Sequence, residues 1–216
     1  MVAIVTPPRS LSVVIPAFNE ALRLPPTLDA SLAYLHAAQR PWELIVVDDG
    51  STDGTSGVVR QRRSSCEQGR LRLLRADGNR GKGAALRAGA AAARGDRIVL
   101  VDADGATPLS ALPALERALD AAGCGVAVGS RSDVLQRRPP YRRLMSGVFS
   151  LLATSCVADL DDTQCGFKLL TRQAAEQTFP HLHVSGWAYD VRAARAASAT
   201  DRNRKACDPP CPKTEA

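Results

Sequence analysis

The chain has 216 residues, 45% of them hydrophobic and 23% charged, which excludes wholesale disorder and favours one large globular domain, or one domain plus an appendage, over separate cofactor and substrate lobes. A net charge of +6 is too small to point to nucleic acid as a partner. No stretch reaches the roughly 18 apolar residues of a spanning helix, and residues 1–10 lack the apolar core of a signal peptide, so the expectation is a soluble or peripheral protein.

In chain order, short apolar runs alternate with segments of helical period, the signature of βαβ units around a mostly parallel sheet. Residues 1–10 are expected to be flexible. Strands are predicted over residues 11–15, 44–47, 71–74, 98–101 and 125–128. Between the first two, Leu24, Leu28, Leu32 and Leu35 share one helix face. The Ala-rich run 84–93 predicts a tightly packed helix. Thr107 as N-cap and Pro108 in the first turn predict another helix, burying Leu112, Leu115 and Leu119. Beyond Gly129, five arginines fall within residues 131–143, and the uncharged run 144–158 follows. As a helix that run would be roughly 22 Å long, short of a bilayer core, so it reads as a core helix or one lying in a membrane interface. From Arg192 the apolar periodicity is lost, and residues 192–216 read as a disordered or aberrant tail.

Chemistry concentrates at the strand ends. Val99-Leu-Val-Asp102-Ala-Asp104-Gly105 is an apolar strand releasing two carboxylates at its C-terminal end, where open α/β sheets bind ligands. Such a pair can hold a hard divalent cation that also bridges a diphosphate; the alternative is a solvated turn. Asp48 and Asp49 end the preceding acidic strand and could accept hydrogen bonds from a base or ribose, while Ser51, Thr52 or Asp53 could cap a helix. Pro16, Ala17, Asn19 and Glu20 add polar groups at the same edge. Asn79-Arg80-Gly81-Lys82-Gly83 opens a helix with glycines and cations, suited to a phosphate near backbone N–H groups. It matches neither a P-loop nor a dinucleotide fingerprint.

The series Val14-Ile-Pro-Ala-Phe-Asn-Glu20, Val47-Asp-Asp-Gly-Ser-Thr-Asp-Gly-Thr55, Asn79-Arg-Gly-Lys-Gly83 and Val101-Asp-Ala-Asp-Gly-Ala-Thr107 resembles the GT-A glycosyltransferases of family 2. Gly129-Ser-Arg131, Asp162-Thr-Gln-Cys-Gly-Phe-Lys168 and Trp187-Ala-Tyr-Asp190 narrow the resemblance to members that move glucose from UDP-glucose to dolichyl phosphate on the cytosolic face of the endoplasmic reticulum. It implies a single GT-A (Rossmann-like) α/β domain over residues 11–191. It also implies that Pro16, Ala17, Asn19, Glu20, Asp48 and Asp49 cradle uridine and ribose and that Lys82 faces the diphosphate. Asp102 and Asp104 would hold Mg²⁺ or Mn²⁺. Arg131, helped by Arg142, Arg143 or Lys168, would grip the acceptor phosphate, and Asp162 would orient acceptor or sugar. A membrane surface is the implied setting, with the arginines facing an anionic leaflet.

Members of this group carry an N-terminal membrane helix and continue past the Trp-x-x-Asp motif. The expectation is therefore a chain truncated at its C-terminus and lacking the anchor. Two other readings stay open: a family 2 enzyme using another sugar, such as a polyprenyl-phosphate mannosyltransferase, and a non-catalytic nucleotide-sugar-binding isoform.

Overall fold

In the computed structural model, which describes residues 9–67, 69–129 and 165–181, the apolar runs become strands of one sheet. These are β1 (Leu11–Ala17), β2 (Trp42–Asp48), β3 (Leu71–Arg75), β4 (Arg97–Leu100), β5 (Val126–Val128) and β6 (Lys168–Thr171), in the order β3-β2-β1-β4-β6-β5. Every residue of β1 and β2 is buried, as expected of central parallel strands covered on both faces. β1 pairs in parallel with β2 and with β4, whereas β6 runs antiparallel to both β4 and β5.

Four of the covering helices follow β1, β2, β3 and β4: α1 (Leu24–Ala37), α2 (Thr55–Arg63), α3 (Lys82–Ala92) and α4 (Leu112–Ala122). A fifth, α5 (Arg172–Thr178), follows β6. Leu24, Leu28, Leu32 and Leu35 of α1 are all buried, each contributing roughly 1.5–3 kcal/mol relative to exposure. α3 lies on β1 and β2 with Gly83, Ala85, Leu86, Gly89 and Ala90 inward. Small residues there let helix and sheet approach closely.

Three expectations are corrected. A sixth strand, β6, exists where none was predicted; its four residues are too short to announce a period, and it is stabilised by pairing with β4 and β5. The helix after β4 does not start at Thr107, because Pro108 is extended and a 3₁₀ turn, Leu109–Ala111, intervenes. The α-helix begins at Leu112 with Pro113 in its first turn, where a missing N–H costs nothing. Arg9 and Ser10 belong to the folded body rather than to a flexible N-terminus, since Arg9 pairs with Asp120 at 2.9 Å and Ser10 hydrogen-bonds the Asp96 carboxylate.

β1 is flanked by β2 on one side and β4 on the other, so the strand order reverses there, and the C-terminal ends at such a reversal form a crevice. Pro16 helps open it. Val14 O accepts from Val101 N at 3.0 Å, so by alternation Pro16 also faces β4 but has no N–H to give. Pairing of β1 with β4 stops at Val14 and Leu100.

Candidate active site

A cavity of about 360 Å³ lies in that crevice, lined by Pro16, Ala17, Phe18, Glu20 and Arg23 after β1, Asp49 after β2, Asn79, Gly81, Lys82 and Ala85 of the α3 entry, and Asp102, Ala103 and Asp104 after β4. Acidic groups from three strand ends thus meet in one cleft. Of the residues expected to cradle a nucleotide diphosphate, Pro16, Ala17, Glu20, Asp49, Lys82, Asp102 and Asp104 line it; Asp48 and Asn19 do not.

The two exceptions have structural duties. Asp48 is fully buried and accepts from Ser51 N at 2.8 Å, from the Ser56 hydroxyl and from Arg75 Nη1 at 3.1 Å. Burial alone would push its pKa up, but the Ser51 and Ser56 hydrogen bonds and the Arg75 charge hold it below the ordinary carboxylate value. Asn19, in a left-handed conformation at φ 54°, accepts from Thr52 N at 2.9 Å through Oδ1. Its own N–H donates to Ser51 Oγ at 2.9 Å. It therefore joins the loops after β1 and β2 instead of facing a ligand. The N-cap position of α2 is Gly54, with no side-chain cap bond; Asp53, one residue earlier, accepts from Thr55 N at 2.9 Å through Oδ1, and this and the Thr55 hydroxyl bond lower its pKa, the hydroxyl bond most.

Asp49 spans two elements. Its carboxylate accepts from Arg80 N at 3.0 Å and Gly81 N at 2.7 Å, so two N–H groups expected to meet a phosphate are already satisfied by a side chain of the protein. Gly50 makes this possible. At φ 77° it passes so close to the chain at Gly78 that a Cβ would lie 2.6 Å from that backbone.

At the cavity rim Glu20 grips Arg23 through two hydrogen bonds of 2.7 and 2.6 Å. Lys82, the first residue of α3, pairs with Asp102 at 2.8 Å, each side chain 35% exposed. Asp104 is exposed, and its Oδ1 accepts from Ala106 N at 3.1 Å. Four carboxylates therefore face two cations, both already paired. A diphosphate entering such a site requires further positive charge, and two oxygen-donor side chains one residue apart suit a hard divalent ion that takes its remaining ligands from the diphosphate. Among the described residues, no group of three or more His, Cys, Asp or Glu could hold a metal by itself.

Lys168, expected at the acceptor phosphate, is only 2% exposed, and its Nζ donates to Cys165 O at 2.5 Å. It braces the turn before β6 and is not among the cavity-lining residues, because its place in the strand points it inward. Arg131, Arg142, Arg143 and Asp162 lie outside the described residues, as do the 144–158 segment, the Trp187-x-x-Asp190 motif and the 192–216 tail. Three cavity residues, Phe18, Arg23 and Ala85, were missed by sequence reasoning, Ala85 because the Ala-rich run reads only as packing. Phe18 is 40% exposed, and a bulky apolar residue directly after a buried strand is the signal that could have found it. Arg23 sits one turn from Glu20. Among the described residues no helix is long and apolar enough to cross a membrane.

A mostly parallel sheet with acidic strand ends meeting at its order reversal is the GT-A glycosyltransferase arrangement. Solved structures agree on the fold. Glucosyl-3-phosphoglycerate synthase from Mycobacterium tuberculosis, in complex with UDP, matches with a TM-score of 0.69 and 19% identity over 96% of this chain and 73% of that one. A Pyrobaculum calidifontis mannosyltransferase in complex with GDP-Man and Mn²⁺ matches at 0.63 and 22%, over 95% and 56%. The sequence model of glycosyl transferase family 2 matches residues 12–194, and the chain belongs to that family. It is 40% identical to the human dolichyl-phosphate β-glucosyltransferase over 201 residues, 86% of this chain and 62% of the human one. To the Saccharomyces cerevisiae dolichyl-phosphate β-glucosyltransferase it is 36% identical over 203 residues, 84% of this chain and 60% of that one. The chain thus spans about three-fifths of the length of these relatives.

Proposed function

We propose that the protein is a hexosyltransferase that moves glucose from UDP-glucose to dolichyl phosphate with inversion, giving dolichyl β-D-glucosyl phosphate for protein N-glycosylation. The observation that carries this reading is the single cleft in which Glu20, Asp49, Asp102 and Asp104 face Arg23 and Lys82, in a chain 40% identical to dolichyl-phosphate β-glucosyltransferases. Pro16, Ala17, Phe18 and Asp49 would wall the nucleoside, and Lys82 would exchange Asp102 for the diphosphate. Asp102 and Asp104 fit a Mg²⁺ or Mn²⁺ ion, which when bound would supply the countercharge for departing UDP. The acceptor phosphate has a second pKa near 6 and is largely an oxyanion at neutral pH, so it needs positioning more than a strong base. It attacks the anomeric carbon as the bond to UDP breaks. Arg131, with Arg142 and Arg143, suits that phosphate by its forked donors, and Asp162 would orient acceptor or sugar. The setting would be the cytosolic face of the endoplasmic reticulum membrane.

The test offers the purified protein UDP-glucose, GDP-mannose and UDP-N-acetylglucosamine in separate reactions, each with a short polyprenyl phosphate and Mg²⁺ or Mn²⁺. Lipid-linked sugar from UDP-glucose alone is the expected result. Product only from another donor, or none beside intact UDP-glucose binding, would overturn it.

A further inference from the structure

Asp102 lies at the edge of a sheet seam that β6 closes. Leu100 of β4 is opposite Lys168 of β6 in an antiparallel pair, so continuing that register past the strand ends brings Gly166 across from Asp102. A Cβ built on Gly166 would overlap Oδ2, Cγ and Oδ1 of the Asp102 carboxylate. The carboxylate therefore rests in the space that the absent side chain leaves, and from there Oδ1 reaches Lys82 Nζ at 2.8 Å.

Gly166 itself has little freedom to retreat. Its neighbours Cys165 and Phe167 are buried, Lys168 Nζ ties down Cys165 O, and Phe167 O accepts from Gly129 N at 2.9 Å. Nor does its backbone demand glycine, because its φ lies outside the positive range that disfavours other residues. Both conditions point the same way: what the missing Cβ protects is the neighbouring carboxylate, not the local chain. A two-torsion side chain such as Asp would give way before a pinned turn does.

We propose that Gly166 is a positioning residue for metal binding: its bare Cα is the wall against which Asp102 is set, turned toward Lys82 and the cleft, and any side chain there would swing the carboxylate out of the cation site. This rests on the reading of the cleft as a metal-dependent donor site. Lys168, buried beneath the same turn, serves the arrangement by holding that wall in place.

The test measures Mn²⁺ retained by the whole chain in equilibrium dialysis, with saturating UDP on both sides of the membrane. Wild type is expected to bind Mn²⁺, and Gly166→Ala to bind it at least about tenfold more weakly, with a thermal midpoint within a few degrees of wild type. In an Asp102→Asn background, adding Gly166→Ala should cause no further loss, since both act through one carboxylate. Equal Mn²⁺ affinity of Gly166→Ala and wild type overturns the inference while leaving the donor-site reading intact, as does a further loss in the Asp102→Asn background. Wild type without Mn²⁺ affinity overturns the donor-site reading and this inference with it. Should Gly166→Ala lower the midpoint substantially, the double variant with Asp102→Ala must melt like Asp102→Ala alone; a persisting deficit means the Cβ meets something else and the inference is wrong.

Discussion

Asp48 and Asp49 are adjacent in sequence, yet they do different work because successive side chains of a strand point to opposite faces. Asp49 turns to the cleft and accepts the N–H groups of the α3 entry; Asp48 turns into the protein and ties Ser51, Ser56 and Arg75 together. Replacing Asp48 by Ala orphans those donors and should cost about 2–3 kcal/mol, measured by denaturant unfolding. The sign with pH follows from its lowered pKa. A depressed carboxylate contributes stability above its unfolded value of about 3.9, and that stability is lost as pH falls through the folded value. The melting temperature of the wild type should therefore drop more steeply below about pH 4 than that of Asp48→Ala. The place of the paired aspartates at the β4 end was legible from the apolar run that precedes them, and the cleft lining they share with Glu20 and Asp49 is what sets them apart from a solvated turn. The division of labour between Asp48 and Asp49 was not, because a motif shows residue types without saying which face each one takes.

Helix α3 decides where Lys82 stands, and glycine decides where α3 stands. A Cβ on Gly89 would run into Val14 Cγ1 and lie 3.0 Å from Val47 Cγ2, on the two central strands. Gly89→Ala should therefore lift α3 from the sheet, costing about 1–3 kcal/mol and weakening UDP binding along with it. Gly57 supplies the control. It sits exposed in α2 with nothing within 4 Å of its Cβ position, so Gly57→Ala should stabilise by roughly 0.4–1 kcal/mol through helix propensity and chain entropy and leave UDP binding unchanged. Paired melting curves and UDP titrations check both. The helices of strong period, such as α1, were legible because their leucines repeat on one face. β6 was not, since Lys168 reads as a surface cation until its neighbours bury it, and pairing with β4 and β5 is a long-range fact that no local window contains. The start of α4 was displaced for a related reason: Thr107-Pro108 is a good helix opening in isolation, but Thr107 lies in a bend and Pro108 is extended ahead of the 3₁₀ turn Leu109–Ala111.

For the molecule as a whole, the order β3-β2-β1-β4-β6-β5 places the reversal of strand order, the proline that parts the strands and the acidic strand ends at one point. That convergence follows from alternating βαβ units, whose ligand crevice is fixed by topology, which is why the site's location was readable before its details. The chain reaches about three-fifths of its curated relatives' length, so transfer itself, more than fold or family, is what experiment must establish. The most direct measurement compares lipid-linked glucose formation by wild type and Asp104→Ala with UDP-glucose, a short polyprenyl phosphate and Mn²⁺. Losing one oxygen ligand at the leaving diphosphate should lower the rate at least about a hundredfold, in the range seen when a single electrostatic stabiliser is removed. Equal rates for the two proteins would contradict the account.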